Sequence, residues 1–526
     1  MNDAPQVTVA GGGLAGMTAA FRLAQRGYAV KLYEQKPYLG GNLASRPEAG
    51  GVALDVYPHM FLSWYHNFWG MLAEAGVDRD KAFVPVSSVK QLRRGEYPQF
   101  KTLTDGYSPR YVAQNLVSGV GPAADMFVFW YGTVDLLAER LNPTMVLDNM
   151  SVTGFMQARP YMTERAMKAC DNFITMVWAI PAYQTCAEDY RAYLAYSVSS
   201  YKPPCLLAAG PAGDEVIAPL KAAMRKAGVQ IHHSTWIKSV ACRGDRAAEI
   251  TLEDDEHEWT EPVDQLVLAV PPLTLSKLVR QGGAGQPVVK VVPKLAELAR
   301  LRSQRIPIVH VFFKRKLRKI PVEPVGLYDS ELALAFTDVS ESWAALGAKT
   351  VLSVSASNPY GLPDTGPEDD GFAILQGLAE YIDIEPGAGW GDRASPDIDW
   401  DRTRYESNAD SQLFINETGI DIWRPVASCD GIDNLYFAGN FCANRIGMMT
   451  VESAVASGLE AVEAVVERCG FGAPVQILEP STKAADLSLF LRYAYGPTAY
   501  WAKAWSAGAD CLRYVWDRVA PPPPEV

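Results

Sequence analysis

The sequence has no apolar run of the roughly 18 to 20 uncharged residues that a bilayer span requires. The nearest stretch, around Phe173 to Ala187, is too short and is broken by Pro181, so any membrane contact is expected to be peripheral. No basic region followed by an apolar segment precedes the first strand, which argues against a secretory signal and for a cytoplasmic location, at most at the inner face of a membrane. The eight cysteines are scattered, without a CxxC pair or a metal-type Cys/His spacing. That excludes a zinc module or a disulfide framework and predicts reduced thiols. His232 and His233 are adjacent, so on a strand they face opposite sides and form no metal pair; no metal site is expected. Positive charge is also short, with 48 Lys and Arg against 60 Asp and Glu and a net charge of −12, which argues against a nucleic-acid partner. What remains, 526 residues with 48% hydrophobic and 21% charged content, is a globular chain too long for one ordinary core.

The positive signal begins at residue 7. Val7-Thr8-Val9-Ala10 reads as a strand, Gly11-Gly12-Gly13-Leu14-Ala15-Gly16 as a glycine turn, and Met17-Thr18-Ala19-Ala20 as a helix. Gly11 permits the tight turn, Gly13 lets the backbone approach a pyrophosphate, and Gly16 allows close helix–strand packing, while the helix directs its first amides, from Leu14 and Ala15, at the phosphates. A second apolar run, Ala29-Val30-Lys31-Leu32-Tyr33, ends on Glu34, suitably placed for a ribose hydroxyl. Strand, turn, helix, strand and acid together form a dinucleotide-binding βαβ unit.

The next residues, Glu34-Gln35-Lys36-Pro37-Tyr38-Leu39-Gly40-Gly41-Asn42, resemble the acid, spacer and paired-glycine extension of the amine oxidase and carotenoid desaturase flavoproteins. The resemblance implies FAD, held noncovalently, and continues along the chain. Asp55-Val56-Tyr57-Pro58-His59-Met60-Phe61 is similar to the segment that passes beside the flavin in desaturases, with Tyr57 in place of a usual small glycine. Ile237 matches the residue whose backbone meets the adenine. Ile308 to Leu317 and Leu327 to Ser340 resemble the central sheet of plant and cyanobacterial type phytoene desaturases, in which His310 reads as a packed strand residue. Phe437-Ala438-Gly439-Asn440 and Met449-Thr450-Val451 resemble the strand, turn and helix that close around the flavin, with Asn440 replacing the usual acid. Cys442 matches a position that carries no covalent flavin.

The fold expected is α/β. A Rossmann-type, amine-oxidase-like FAD domain is built from residues 1–95, 207–275 and 412–472. A mixed α+β substrate domain takes 96–206 and 276–411, and a helical extension follows from 473 to 526. Ser151 or Thr153 is expected to cap a helix, and the Met and aromatic residues from Met162 to Trp178 suit either plain core or an apolar tunnel. The extension reads as two helical pieces split at Gly496-Pro497, with Trp501, Trp505, Leu512 and Trp516 on one face, a pattern fit for a membrane interface, for docking on the protein itself, or for a homo- or hetero-oligomer.

By resemblance the protein is an oxidoreductase that dehydrogenates an apolar, isoprenoid-type (terpene or carotenoid) small molecule by hydride transfer to flavin N5, with a quinone or oxygen as electron acceptor. His59, Arg445 and Tyr57 are the candidates for a direct part in catalysis. Three alternatives stay open: an amine or amino-acid oxidase, a non-redox flavin-dependent isoprenoid isomerase or dehydroxylase, and a non-catalytic flavin-binding partner.

Overall fold

The computed structural model describes residues 4–46, 53–104, 109–200, 205–346, 349–363, 365–393 and 395–519. The chain opens with strand β1 (Gln6–Ala10), helix α1 (Leu14–Ala24) and strand β2 (Ala29–Tyr33). These start a five-stranded, all-parallel sheet in the order Gln230–His232, β2, β1, Gln265–Leu268, Leu435–Phe437. Val7, Val9, Val30, Leu32 and Leu266 to Leu268 are buried, as the central strands of a parallel sheet covered on both faces must be. One face carries α1 and the helix Val451–Cys469, which cross so closely that a side chain at Gly458 would meet Thr18 Cβ at 2.9 Å. The other face carries an antiparallel sheet of Trp236–Arg243, Arg246–Glu253, Glu258–Pro262 and Gln286–Pro287, whose Val240, Ile250 and Leu252 pack in one cluster with Ala10, Leu266 and Leu268.

A second, seven-stranded mixed sheet runs in the order Arg404–Glu406, Ile308–Phe312, Val351–Ala356, Leu334–Asp338, Val325–Leu327, Ser88–Leu92, Lys101–Thr104. The chain enters it at Ser88, ahead of the change in sequence character near residue 96. Helix Pro367–Ala379 buries Ile374, Leu375 and Leu378 against Val309, Val311, Leu352 and Val354 on one face of this sheet. Helices Ala123–Ala138, Glu164–Trp178 and Ala187–Val198 form the remaining layer. Ser151 caps the short helix that precedes the second of these, its Oγ accepting from the Gly154 amide at 3.0 Å.

The tail departs from expectation. Ser488–Val519 is one continuous helix with Pro497 inside it, although proline removes a helical hydrogen bond and clashes with the preceding turn. Docking outweighs that cost. Arg492 pairs with Asp135 at 2.7 Å and with Glu139 at 3.0 Å, the Tyr131 hydroxyl donates to the Arg492 carbonyl beside the break, and Ser506 donates to Asp125 at 2.9 Å. The opposite face stays open: Phe490 is 67%, Trp501 77%, Trp505 76% and Leu512 74% exposed. The side chain of Trp516 lies outside the described residues. Among the described residues, no helix is long and apolar enough to cross a membrane.

Candidate active site

The ends of β1 and β2, the turn after β2 and the N-terminus of Val451–Cys469 converge on one cavity of about 500 Å³. Gly11 turns the chain out of β1 with φ 101°, and Gly40 adopts φ 114°, values that side chains rarely tolerate. A β-carbon on Gly13 would meet only Gly41 Cα, at 3.9 Å, so the space over Gly13 belongs to the cavity. α1 is capped by Gly13, which offers no side chain, and has no acid in its first turn, leaving its leading amides to an anion. Gly16 lies outside the lining. A β-carbon there would collide with the Gly11 carbonyl oxygen, which is the close-packing role expected of the third glycine.

Glu34 stands at the end of β2 with Oε2 accepting from the Gly12 amide at 2.6 Å and Oε1 from the Lys36 amide at 2.8 Å. Burial raises its pKa, while the Lys36 and Gly12 amides pull it down. Each oxygen keeps lone pairs for ribose hydroxyls. Gln35, Gly40, Gly41, Asn42 and Ile237 line the same region. Lys36 extends to Asp410 at 2.6 Å, fixing the loop that closes this end.

Leu14, Ala15, Gly439, Asn440, Met449, Thr450 and Val451 line the cavity as well. Thr450 caps the second helix, its Oγ1 accepting from the Ser453 amide at 3.1 Å. The acid in that helix's first turn, Glu452, is turned away from the cavity and accepts from the Asn67 and Phe68 amides at 2.8 and 2.9 Å. The helix thus presents its positive end to the cavity without a neutralising carboxylate.

Tyr57, Pro58 and His59 form a further wall. The Tyr57 hydroxyl is committed, donating to the Ser411 carbonyl at 2.6 Å, and burial raises its pKa. His59 Nδ1 lies 2.8 Å from the Tyr57 carbonyl oxygen; burial lowers its pKa, opposed by that carbonyl, so the ring is neutral at physiological pH.

Arg445 does not join them. Its amide donates to Glu460 and its guanidinium pairs with Glu463 at 2.9 Å on the outer side of the second helix, so sequence proximity to the Gly439 turn misplaced it. Cys442 is buried behind the turn and absent from the lining, with its thiol pushed up to about 12 by burial, which leaves no thiolate for a covalent link.

Arg424 escaped the sequence reading. Almost fully buried, it donates to the carbonyls of Cys442 at 2.8 Å, Gly447 at 2.6 Å and Phe441 at 3.2 Å, knitting together the whole 439–447 turn. No motif signals it, because its partners are backbone atoms some 20 residues away and become neighbours only in the fold.

The cradle fits FAD. It offers an open approach over Gly13, uncapped amides from α1, an acid at the end of β2, and a second helix N-terminus with its own acid turned away.

A family model of flavin containing amine oxidoreductase matches residues 14–466. Over 322 residues the chain is 29% identical to the carotenoid phi-ring synthase of Streptomyces griseus, a match covering 57% of this chain and 58% of that protein. Over 75 residues it is 33% identical to the zeta-carotene desaturase of Zea mays, covering 14% of this chain and 13% of that one. The chain thus spans less than two thirds of the length of these curated relatives. An oxidoreductase structure from Methanosarcina mazei superimposes with a TM-score of 0.62 at 15% identity, over 88% of this chain and 100% of the other, a likeness of fold. The match over most of the chain and the cradle that fits the cofactor lead to one conclusion: this chain belongs to the flavin containing amine oxidoreductase family.

Proposed function

We propose that the enzyme dehydrogenates an isoprenoid of the carotenoid or terpene class. The observation that carries this reading is the lining beyond the cofactor cradle. Met60, Leu62, Met176, Val177, Trp178 and Leu207 supply it, and among the described lining residues the carboxylates and the ammonium are Glu34, Lys36 and Asp410, clustered at the nucleotide end. An amino-acid substrate needs a charged anchor near the reacting carbon, and an apolar chain does not. Two relatives whose names speak of carotenoids support the same class.

Bound FAD supplies the oxidising equivalents for removing hydrogen from carbon. The protein's part is to orient the chain and exclude water. Tyr57, held by Ser411, acts as a fixed wall that admits a slim substrate end. Neutral His59, set against the same wall, is a proton acceptor within the cavity.

The reading is tested with zeta-carotene in detergent micelles and a quinone acceptor. A product lacking two hydrogens, exceeding one equivalent per flavin only with the acceptor present, is expected. An isomer of unchanged mass, formed without acceptor, would assign the non-redox chemistry instead.

We further propose that the open aromatic face of the C-terminal helix meets a membrane surface, since rings such as Trp501 and Trp505 suit the interface between headgroups and acyl chains. Residues 1–482 should keep their flavin and lose flotation with liposomes. Equal flotation of the shortened and full chains would reject this role.

A further inference from the structure

The sheet bordering the cavity carries hydroxyls where a purely hydrocarbon ligand would call for methyl groups. Along Val351–Ala356 the side chains alternate. Leu352 and Val354 enter the core, while Ser353 and Ser355 line the cavity, followed by Ser357. In register with Ser353 are His310 on one neighbouring strand and Thr337 on the other, so the three share one face of the sheet. Thr337 also lines the cavity.

His310 is 1% exposed, and its Nδ1 lies 2.9 Å from Ser353 Oγ. Burial holds its pKa down at about 4, against the opposing pull of the Asp55 backbone carbonyl, so the ring is neutral and offers one donor and one acceptor nitrogen. Nε2 has no hydrogen-bond partner among the described residues, so the ring leaves open which of Nδ1 and Ser353 Oγ donates to the other. Ser353 shares a single hydrogen bond with His310 and, in either direction, keeps at least one lone pair for the cavity. A serine fixed in this way can accept a hydrogen bond from a ligand hydroxyl. A buried hydroxyl without such a partner is costly, and alanine at 353 would have avoided the cost in a site built for hydrocarbon.

We propose that Ser353, positioned by His310 and flanked by Thr337, is an alcohol-binding subsite, and that the substrate bound most tightly is an isoprenoid carrying a hydroxyl that donates to Ser353 Oγ, a hydrocarbon such as zeta-carotene occupying the same chamber more weakly. This rests on the isoprenoid reading of the cavity and narrows it. Among oxygenated isoprenoids the donor requirement selects alcohols over ethers.

The test uses the FAD-loaded full chain and three probes, farnesol, farnesyl methyl ether and farnesene, with affinities read from the shift of the flavin spectrum. Farnesol is expected to bind about tenfold more tightly than the other two, the size of one well-made neutral hydrogen bond. Ser353→Ala should bring the three within about twofold while leaving farnesene unchanged, again the loss of that single bond. His310→Leu should also erode the preference, and His310→Asn, whose amide can still hydrogen-bond Ser353, should restore part of it; a merely structural histidine would show no such rescue. Thr337→Val, close in shape, should weaken farnesol alone, and flavin content in each variant reports folding. Equal affinities in the unmodified protein, or a preference that survives Ser353→Ala, would overturn the alcohol subsite and leave the isoprenoid reading standing. Failure of all three probes to perturb the flavin would overturn both.

Discussion

Gly13 and Gly16 sit three residues apart in one motif and call for opposite experiments. Space lies over Gly13, so Gly13→Leu should give a folded, colourless protein whose ratio of flavin to protein absorbance falls to background, because the side chain occupies the pyrophosphate's place. At Gly16 even a methyl group meets the Gly11 carbonyl, so Gly16→Ala should lower the yield of soluble protein itself. A Gly13→Leu protein that keeps its FAD would mean that the cofactor does not cross this turn. Tyr57 makes a second residue-scale case. Tyr57→Phe loses one hydrogen bond to Ser411, about 1 kcal/mol of stability, and should retain its products. Tyr57→Gly removes the wall and should change which products form, as read by chromatography. A large loss of turnover in Tyr57→Phe with FAD intact would instead give the hydroxyl a chemical role. The glycines and Glu34 were legible because backbone geometry forces residue type at fixed spacing. Arg445 was misread and Arg424 missed for the complementary reason: the direction of a long side chain is set by partners distant in sequence, Glu463 for one and the carbonyls of the 439–447 turn for the other. His310 was legible as a strand residue, whereas its bond to Ser353 depends on a register that the sequence does not print.

Among elements, the C-terminal helix shows tertiary contact overriding a local break. Gly496-Pro497 reads as a stop, yet the ion pairs of Arg492 with Asp135 and Glu139 and the bond from Tyr131 hold both halves in line. Those acids are buried beneath the helix and are also paired with Arg159 at 2.8 and 3.1 Å, so removing Arg492 breaks one arm of a buried network, a loss of about 2 kcal/mol. Arg492→Ala should therefore lower the melting temperature and raise proteolysis within 488–519 while leaving the flavin bound. An unchanged melting temperature would show that the helix contributes little to the fold. The cofactor-side elements were legible nearly to the residue, since a strand, a glycine turn and a capped helix each leave a local signature. The second sheet's starting point at Ser88 was not, because strand order is a property of pairing and not of the strand's own pattern.

At the scale of the whole molecule, three buried carboxyls shape stability. Burial raises Asp55 and Glu452 to about 7 and Asp189 to about 8, far above their values in an unfolded chain. The native protein therefore holds protons that the unfolded chain releases, and stability falls as pH rises from the ordinary carboxylate range through about 7 to 8. The apparent melting temperature should drop steadily between about pH 5 and pH 8.5, and Asp189→Asn should flatten part of the slope; a melting temperature that climbs over this range would contradict the assignment.

The central claim joins an FAD cradle to an isoprenoid chamber within one cavity, and its most direct test is anaerobic. The purified protein, with flavin released by acid precipitation as evidence of noncovalent binding, is mixed without oxygen with zeta-carotene in micelles and, separately, with benzylamine. Loss of the oxidised-flavin absorbance is the expected result with zeta-carotene alone, with recovery on admitting a quinone. Bleaching by benzylamine with no response to zeta-carotene would contradict the claim.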